Sequence, residues 1–286
     1  MTAADENLRL GYIGLGNMGA PMAQRLVGWP GGVTVYDVRT EAMTPLAEAG
    51  ASLADSVSDI ASADVISVTV LDDAQVREVV GELAEHAKPG TVIAIHSTIS
   101  ATTAEELAKR YAERDIHVVD APVSGGAGAA QQGELATMIG ADRAVYERLK
   151  PVFKSWASLV IHAGEPGAGT RMKLARNMLT FTSYAAACEA MALAEAAGLS
   201  LQALGRVVRH TDKLTSGPGA IMFRDTTAPL NPDDALYQPL AHTSELGEKD
   251  LGLALELGTE TGVDLPLAQV ALQRLAIGLG VAGTNR

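Results

Sequence analysis

The sequence predicts a mostly parallel, doubly wound α/β domain followed by an all-α domain, with one long helix joining them. Three observations carry that expectation. Over roughly the first 160 residues, short β-rich runs alternate with segments of helical period, the pattern of a parallel sheet covered on both faces. After Gly164-Glu165-Pro166-Gly167-Ala168-Gly169 the strand texture stops. From Thr170 to Ala197 the chain is rich in Ala, Leu, Met and Glu and holds no proline, so a single helix of about 28 residues is expected, ended by Gly198. Residues 1–164 are read as the first domain and residues 165–286 as the second.

In the first domain the predicted strands are Leu10–Ile13, Val33–Tyr36, Val65–Thr69, Val92–His96, His117–Asp120 and Leu159–His162. Between them lie helical segments at Pro21–Val27, Glu41–Ala49, Asp73–His86, Thr103–Glu113 and Arg143–Val152. Beyond the long helix, further helices are expected at Leu201–His210, Thr243–Gly262 and Pro266–Gly280. Gly217-Pro218-Gly219 and the run Thr226 to Pro239 read as connecting loops. The long helix is apolar around much of its circumference, which implies burial on more than one side.

Composition narrows the function classes. An apolar fraction of 47% against 20% charged residues is ample for a core. The net charge of −12 repels phosphate backbones and anionic membrane surfaces, so neither nucleic acid nor membrane is an expected partner. The single cysteine, Cys188, excludes an internal disulfide and a cysteine-rich zinc site, and is read as a small buried apolar residue. Met1 to Leu10 carries Asp5 and Glu6 and no apolar run, unlike a signal peptide. The most apolar segment, Leu179 to Leu199, contains Glu189 and Glu195, which argues against a membrane span. A soluble, cytoplasmic protein is the expectation.

The first predicted strand runs into Gly14-Leu15-Gly16-Asn17-Met18-Gly19, a G-x-G-x-x-G between strand and helix. Gly14 permits the tight turn, Gly16 lets backbone approach a pyrophosphate, and Gly19 lets helix and strand pack closely. The helix N-terminus then offers N–H groups to phosphates. A glycine-rich turn can also be only a turn. Asp37, which ends the second strand 23 residues after Gly14, sits where a ribose-binding acid belongs. Its charge would repel a 2′-phosphate, so NAD is expected over NADP. Val38 offers a phosphate nothing, whereas Arg39 keeps NADP possible, and a solvated turn aspartate is the plainer alternative.

The fifth strand ends in Asp120-Ala121-Pro122-Val123-Ser124-Gly125-Gly126. The Ser124 hydroxyl and the Gly125 and Gly126 amides could cradle a carboxylate, or form an ordinary glycine-rich loop. Past the hinge, Lys173, Arg176 and Asn177 share one helix face. Lys173 is flanked by Met172 and Leu174, and desolvation there would pull its pKa down toward acid–base use near neutral pH. A helical lysine is otherwise a solvated charge.

These motifs, with Lys249-Asp250-Leu251 further on, come in an order and spacing that resembles the β-hydroxyacid dehydrogenase family. That family includes 3-hydroxyisobutyrate dehydrogenase and tartronate semialdehyde reductase and is related to 6-phosphogluconate dehydrogenase. The resemblance covers nearly the whole chain. It implies a Rossmann domain, a long interdomain helix and an all-α domain. It also implies NAD(P)-linked oxidation of a β-hydroxyacid, or reduction of its semialdehyde, without a metal.

By the same resemblance, Lys173 is the catalytic lysine and Asn177 positions it and the substrate hydroxyl. Ser124, Gly125 and Gly126 hold the substrate carboxylate. Gly14, Gly16, Asn17, Met18, Gly19, Asp37, Leu71, Thr98 and Lys249 contact the cofactor. Homodimers or homotetramers are implied. The chain departs from the family at Arg176, where an asparagine is usual, and at His242, where a phenylalanine is usual. Both bear on the substrate rather than the reaction, and Arg176 is read as a substrate contact. The other five histidines are read as structural, because no H-x-x-x-H or H-E spacing occurs. Two other readings stand beside this one: an imine reductase on the same scaffold, which Lys173 argues against, and a non-catalytic dinucleotide-binding protein.

Overall fold

The computed structural model describes residues 7–222 and 224–282. The chain divides into two compact units, Met1–Asn177 and Met178–Arg286.

Among the described residues of the first unit, nine strands form one sheet. They are β1 Leu10–Ile13, β2 Val33–Tyr36, β3 Ser52–Leu53, β4 Val65–Val68, β5 Val92–Ile95, β6 His117–Asp120, β7 Val123–Ser124, β8 Leu135–Gly140 and β9 Ala157–Gly164. The order is β3-β2-β1-β4-β5-β6-β8-β7, with β9 beside β8. All pairs from β3 to β6 are parallel, β8 runs antiparallel to β6 and β7, and β9 is parallel to β8. The sheet is thus mostly parallel, as expected. Its strand order turns back between β1 and β4, and in such sheets ligands enter at the carboxyl ends of the strands flanking that point.

The helices of this unit are α1 Gly19–Gln24, α2 Thr40–Glu48, α3 Val57–Ile60, α4 Asp73–His86, α5 Ala101–Tyr111, α6 Gly126–Gln132 and α7 Arg143–Phe153, followed by the first turns of α8 Ala168–Ala196. Strand side chains alternate between two cores. Val92 and Ala94 join Tyr12, Met22, Leu26 and Trp156 on one face. Ile93 and Ile95 join Ile66, Leu83 and Leu107 on the other. Each buried Val, Leu, Ile or Met among them contributes about 1.5–3 kcal/mol, so the strand ends that shape the site are firmly held.

Among the described residues, His96, just beyond β5, is the one imidazole lodged inside the first core, edge-on to Phe153 and Trp156. Nδ1 donates to the Ala121 carbonyl at 2.8 Å, so Nε2 is the unprotonated nitrogen and accepts from the Ser67 hydroxyl at 3.0 Å. Burial lowers its pKa to about 4, although the bond to Ala121 works the other way. The unfolded chain therefore binds a proton that the folded chain refuses between about pH 6.5 and pH 4. Stability is fully present above that window and is lost as the pH falls through it, by up to about 1.4 kcal/mol per pH unit. Urea unfolding at pH 7, 6 and 5 should show this slope, and His96→Gln should flatten it. A slope unchanged in that variant would place the acid sensitivity elsewhere.

The structure adds elements that the sequence reading left out: β3, α3, β7, α6 and β8. It also moves several boundaries. α1 starts at Gly19 rather than Pro21 and gives way to tight turns before Gly28. α9, Leu201–Thr215, runs past His210, and residues 217–221 form a 3₁₀ turn where a loop was expected. α10, Tyr237–Thr261, begins six residues before Thr243 and takes in Pro239, which the first turn of a helix tolerates. α11 spans Pro266–Leu279.

In the second unit α8 continues from Met178, followed by α9, α10 and α11. The Glu189 carboxylate of α8 accepts the N–H groups of Leu267 and Ala268, capping α11. Leu240, Leu279 and Val281 form a small buried cluster. The burial expected around α8 is not met within the single chain: Met178, Phe181, Tyr184 and Met191 are exposed. Cys188 is exposed rather than buried, because it shares this uncovered stretch of α8. No helix among the described residues is long and apolar enough to cross a membrane.

Candidate active site

The glycine loop between β1 and α1 is shaped by two glycines and left open by the third. Gly14 has φ +90°, and a Cβ there would collide with the Thr69 carbonyl at the end of β4. A Cβ on Gly19 would collide with the Gly14 carbonyl. Gly16 is different, because a Cβ added to it would meet nothing within 4 Å. Packing inside the chain therefore does not require a glycine at that position. An open backbone surface at the sheet's reversal point fits the approach of a dinucleotide pyrophosphate. Asn17 is exposed beside it, and Met18 is the N-cap residue of α1.

Asp37 follows β2 and is largely buried. One carboxylate oxygen accepts the Leu15 N–H at 2.7 Å, and the other accepts the Arg39 N–H at 2.9 Å and the Arg39 guanidinium at 3.2 Å. Burial pushes this carboxyl up, but the hydrogen bonds from Arg39 and Leu15 and the Arg39 charge outweigh it and hold the pKa below the usual value. Asp37 is therefore an anion near neutral pH that ties the second strand to the glycine loop. Arg39 leans on this carboxylate. Val38 stands out from the surface with 85% exposure, an apolar side chain at the loop's rim.

The third component joins the end of β6 to the start of α8. Lys173 is 9% exposed, and its Nζ donates to the Val123 carbonyl at 2.6 Å, directly before Ser124. Burial lowers its pKa, and the Arg176 charge lowers it further. The burial does not come from Met172 and Leu174, which are themselves substantially exposed. Lys173 instead shares a helix face with the fully buried Thr170. Asn177, one turn on, accepts from the Arg176 guanidinium at 3.3 Å. Gly125 (φ +135°) and Gly126 (φ +78°) follow Ser124, where left-handed backbone favours glycine, and Gly126 opens α6. Lys173, Ser124, Gly125, Gly126, Arg176 and Asn177 thus fall in one unit around the β6–α8 junction.

Two family models match almost end to end. One, described as the NAD-binding domain of 6-phosphogluconate dehydrogenase, matches residues 9–164. The other, described as NAD-binding of NADP-dependent 3-hydroxyisobutyrate dehydrogenase, matches residues 167–285. The chain belongs to the β-hydroxyacid dehydrogenase family. An uncharacterised oxidoreductase of Mycobacterium tuberculosis is 67% identical, over 98% of this chain and 96% of that protein. A crystal structure of an oxidoreductase from Mycobacterium avium has 77% identity and a TM-score of 0.94, covering 96% of this chain and all of that one. The 2-(hydroxymethyl)glutarate dehydrogenase of Eubacterium barkeri is 34% identical, over 96% of this chain and 92% of its own.

Three more positions were expected to contact the cofactor of such a dehydrogenase. Leu71 follows β4 and is 85% exposed, with its N–H held by Gln75 at 3.0 Å. Thr98 is exposed after β5. The two loops are stapled together by Ser97, whose hydroxyl donates to the Val70 carbonyl at 2.6 Å and accepts the Val70 N–H at 2.9 Å. Lys249 lies on α10 of the second unit, exposed, 3.1 Å from Asp250, and His242 is exposed on the same helix. The sequence reading missed Ser97, the Val123 carbonyl and the Asp120 carboxylate. Asp120 stood within the quoted motif, and an acid closing a buried strand was the available signal.

Proposed function

We propose that the chain is a cytoplasmic, NAD-preferring dehydrogenase that oxidises a small β-hydroxyacid to its semialdehyde, or runs the reverse reduction, with Lys173 as general acid–base. The observation that carries this reading is the buried Lys173 amine, with its lowered pKa, 2.6 Å from the carbonyl beside Ser124. The Ser124 hydroxyl and the Gly125 and Gly126 amides hold the substrate carboxylate. Bound NAD supplies the hydride acceptor. One Lys173 N–H is committed to Val123, so the neutral amine keeps its lone pair for the substrate hydroxyl proton. In reduction the ammonium returns that proton. Asn177 steers the amine and the hydroxyl. A panel of 3-hydroxyacids and semialdehydes with NAD and NADP, followed by absorbance of the reduced cofactor, tests the reading. No cofactor reduction with any hydroxyacid would sink it.

The NAD preference is supported by the Asp37 anion and by Arg39 being drawn onto it. Arg39 leaves NADP a poorer alternative. Asp37→Asn is expected to narrow the kcat/KM ratio of NAD over NADP by roughly tenfold or more, because a full charge facing the 2′-phosphate disappears. Equal use of both cofactors by the unmodified protein would overturn the assignment.

Arg176 supports a substrate with a second acidic or strongly polar group, since a guanidinium matches a carboxylate bidentately and this one lies against Asn177. The relative that acts on 2-(hydroxymethyl)glutarate, a dicarboxylate, points the same way. Compared on the pH plateau of oxidation for each protein, Arg176→Asn should lower kcat/KM for the more anionic substrate by about tenfold and leave 3-hydroxyisobutyrate unchanged or improved. An equal effect on both substrates would leave Arg176 a structural residue.

The exposed Phe181, Tyr184 and Met191 of α8 and the small core of the second unit support a homodimer or homotetramer. Light scattering at micromolar concentration should return a multiple of the chain mass.

A further inference from the structure

Asp120 closes β6 and is fully buried. Its two oxygens each serve a different backbone donor. Oδ1 accepts the Gly167 N–H at 2.7 Å and Oδ2 accepts the Thr170 N–H at 2.6 Å. The Gly167 carbonyl accepts the Arg171 N–H at 3.1 Å, so Gly167 is the N-cap of α8 and Thr170 its third residue. A local capping box satisfies these two donors with two side chains. Here one carboxylate, 47 and 50 residues away in sequence, satisfies both. Its charge also faces the positive end of the helix dipole. The approach is close. A Cβ on Gly140 would collide with the carboxylate, and one on Gly169 would collide with the Met138 carbonyl.

The two ends of the Lys173–Val123 bond both hang from this clamp. Lys173 lies three residues after Thr170, and Val123 three residues after Asp120. A helix capped by its own neighbours can shift as a rod, whereas one capped by a strand end keeps its place relative to that strand. We propose that Asp120 is the positioning residue of the acid–base site, fixing the first turn of α8 so that the Lys173 amine stays registered on the Ser124 loop. This rests on the reading of Lys173 as the acid–base group.

The test is a double-mutant cycle on the full-length protein, with 3-hydroxyisobutyrate and NAD as the probe reaction. Asp120→Asn keeps the shape but leaves one acceptor and turns an NH₂ toward a backbone N–H. It should lower kcat by about tenfold or more while the dissociation constant for NADH, read by its fluorescence, stays within about twofold. In a Lys173→Ala background the same change should cost less than about twofold in residual turnover, because nothing is left to position. A merely structural role lowers both backgrounds by the same factor, and that result overturns the proposal. So does full activity of Asp120→Asn beside an inactive Lys173→Ala. Full activity of Lys173→Ala instead removes the acid–base reading itself, and the proposal with it. Should Asp120→Asn not fold, the smaller Asp120→Ser removes the charge and both carboxylate acceptors without turning an NH₂ toward the backbone donors. The same non-additivity is then expected, and additivity again overturns the proposal.

Discussion

Lys173→Ala is expected to lower turnover by at least about 10²-fold, the minimum for a positioned general base, while NADH binding stays within about twofold. The separation follows from where the groups lie. The amine sits on the Val123 carbonyl at the β6–α8 junction, whereas the open backbone of Gly16 and the Asp37 carboxylate belong to the β1 and β2 ends. The pH dependence gives a second readout. Burial and then Arg176 hold the Lys173 pKa below that of an ordinary lysine. With Lys173 as the proposed acid–base group, oxidation needs the neutral amine, so its rate should fall as the pH drops through that value. Reduction needs the ammonium, so its rate falls as the pH rises through it. Arg176→Asn removes the second cause and should move both limbs to higher pH. A Lys173→Ala enzyme keeping more than about a tenth of its turnover would overturn the assignment.

The three loop glycines should separate into two kinds. Gly14→Ala forces a side chain onto φ +90° and into the Thr69 carbonyl, a backbone atom that cannot swing aside. It should destabilise the protein by about 2 kcal/mol or more and abolish detectable cofactor binding. Gly16→Ala meets nothing within 4 Å. It should leave stability unchanged within about 0.5 kcal/mol but weaken NADH binding by roughly tenfold or more, because the methyl occupies the surface where the pyrophosphate must approach. Thermal unfolding and NADH fluorescence on the two variants decide it. Undiminished NADH affinity in Gly16→Ala would mean that the cofactor does not press on this residue.

The parallel strands were legible because they are short Val- and Ile-rich runs buried on both faces, as in Val65–Val68 and Val92–Ile95. β3 was not, because its two residues, Ser52 and Leu53, are both exposed and carry no burial pattern. α3 left a readable trace in its capping box, Ser56 with Asp59, but four residues have no period. β8 follows the glycine- and glutamine-rich helix Gly126–Gln132 and is held by pairing with β6, β7 and β9, which no local pattern announces. The site motifs were legible as an ordered set. The tie between the start of α8 and β6 was not, since the Asp120 carboxylate takes the Thr170 N–H from 50 residues away in sequence.

Asp37 holds the Leu15 amide, so the glycine turn keeps its form before any ligand arrives. On the proposed NAD preference, the residue that discriminates between cofactors would also be the one that ties their cradle, which couples two traits in one side chain. A lineage drifting from one cofactor to the other cannot do so by neutralising Asp37 alone, because that step slackens the turn both cofactors need. Its path runs through an intermediate that is weak toward both. A compensating change that re-ties the turn, such as a new acceptor for the Leu15 amide, must precede or accompany the switch.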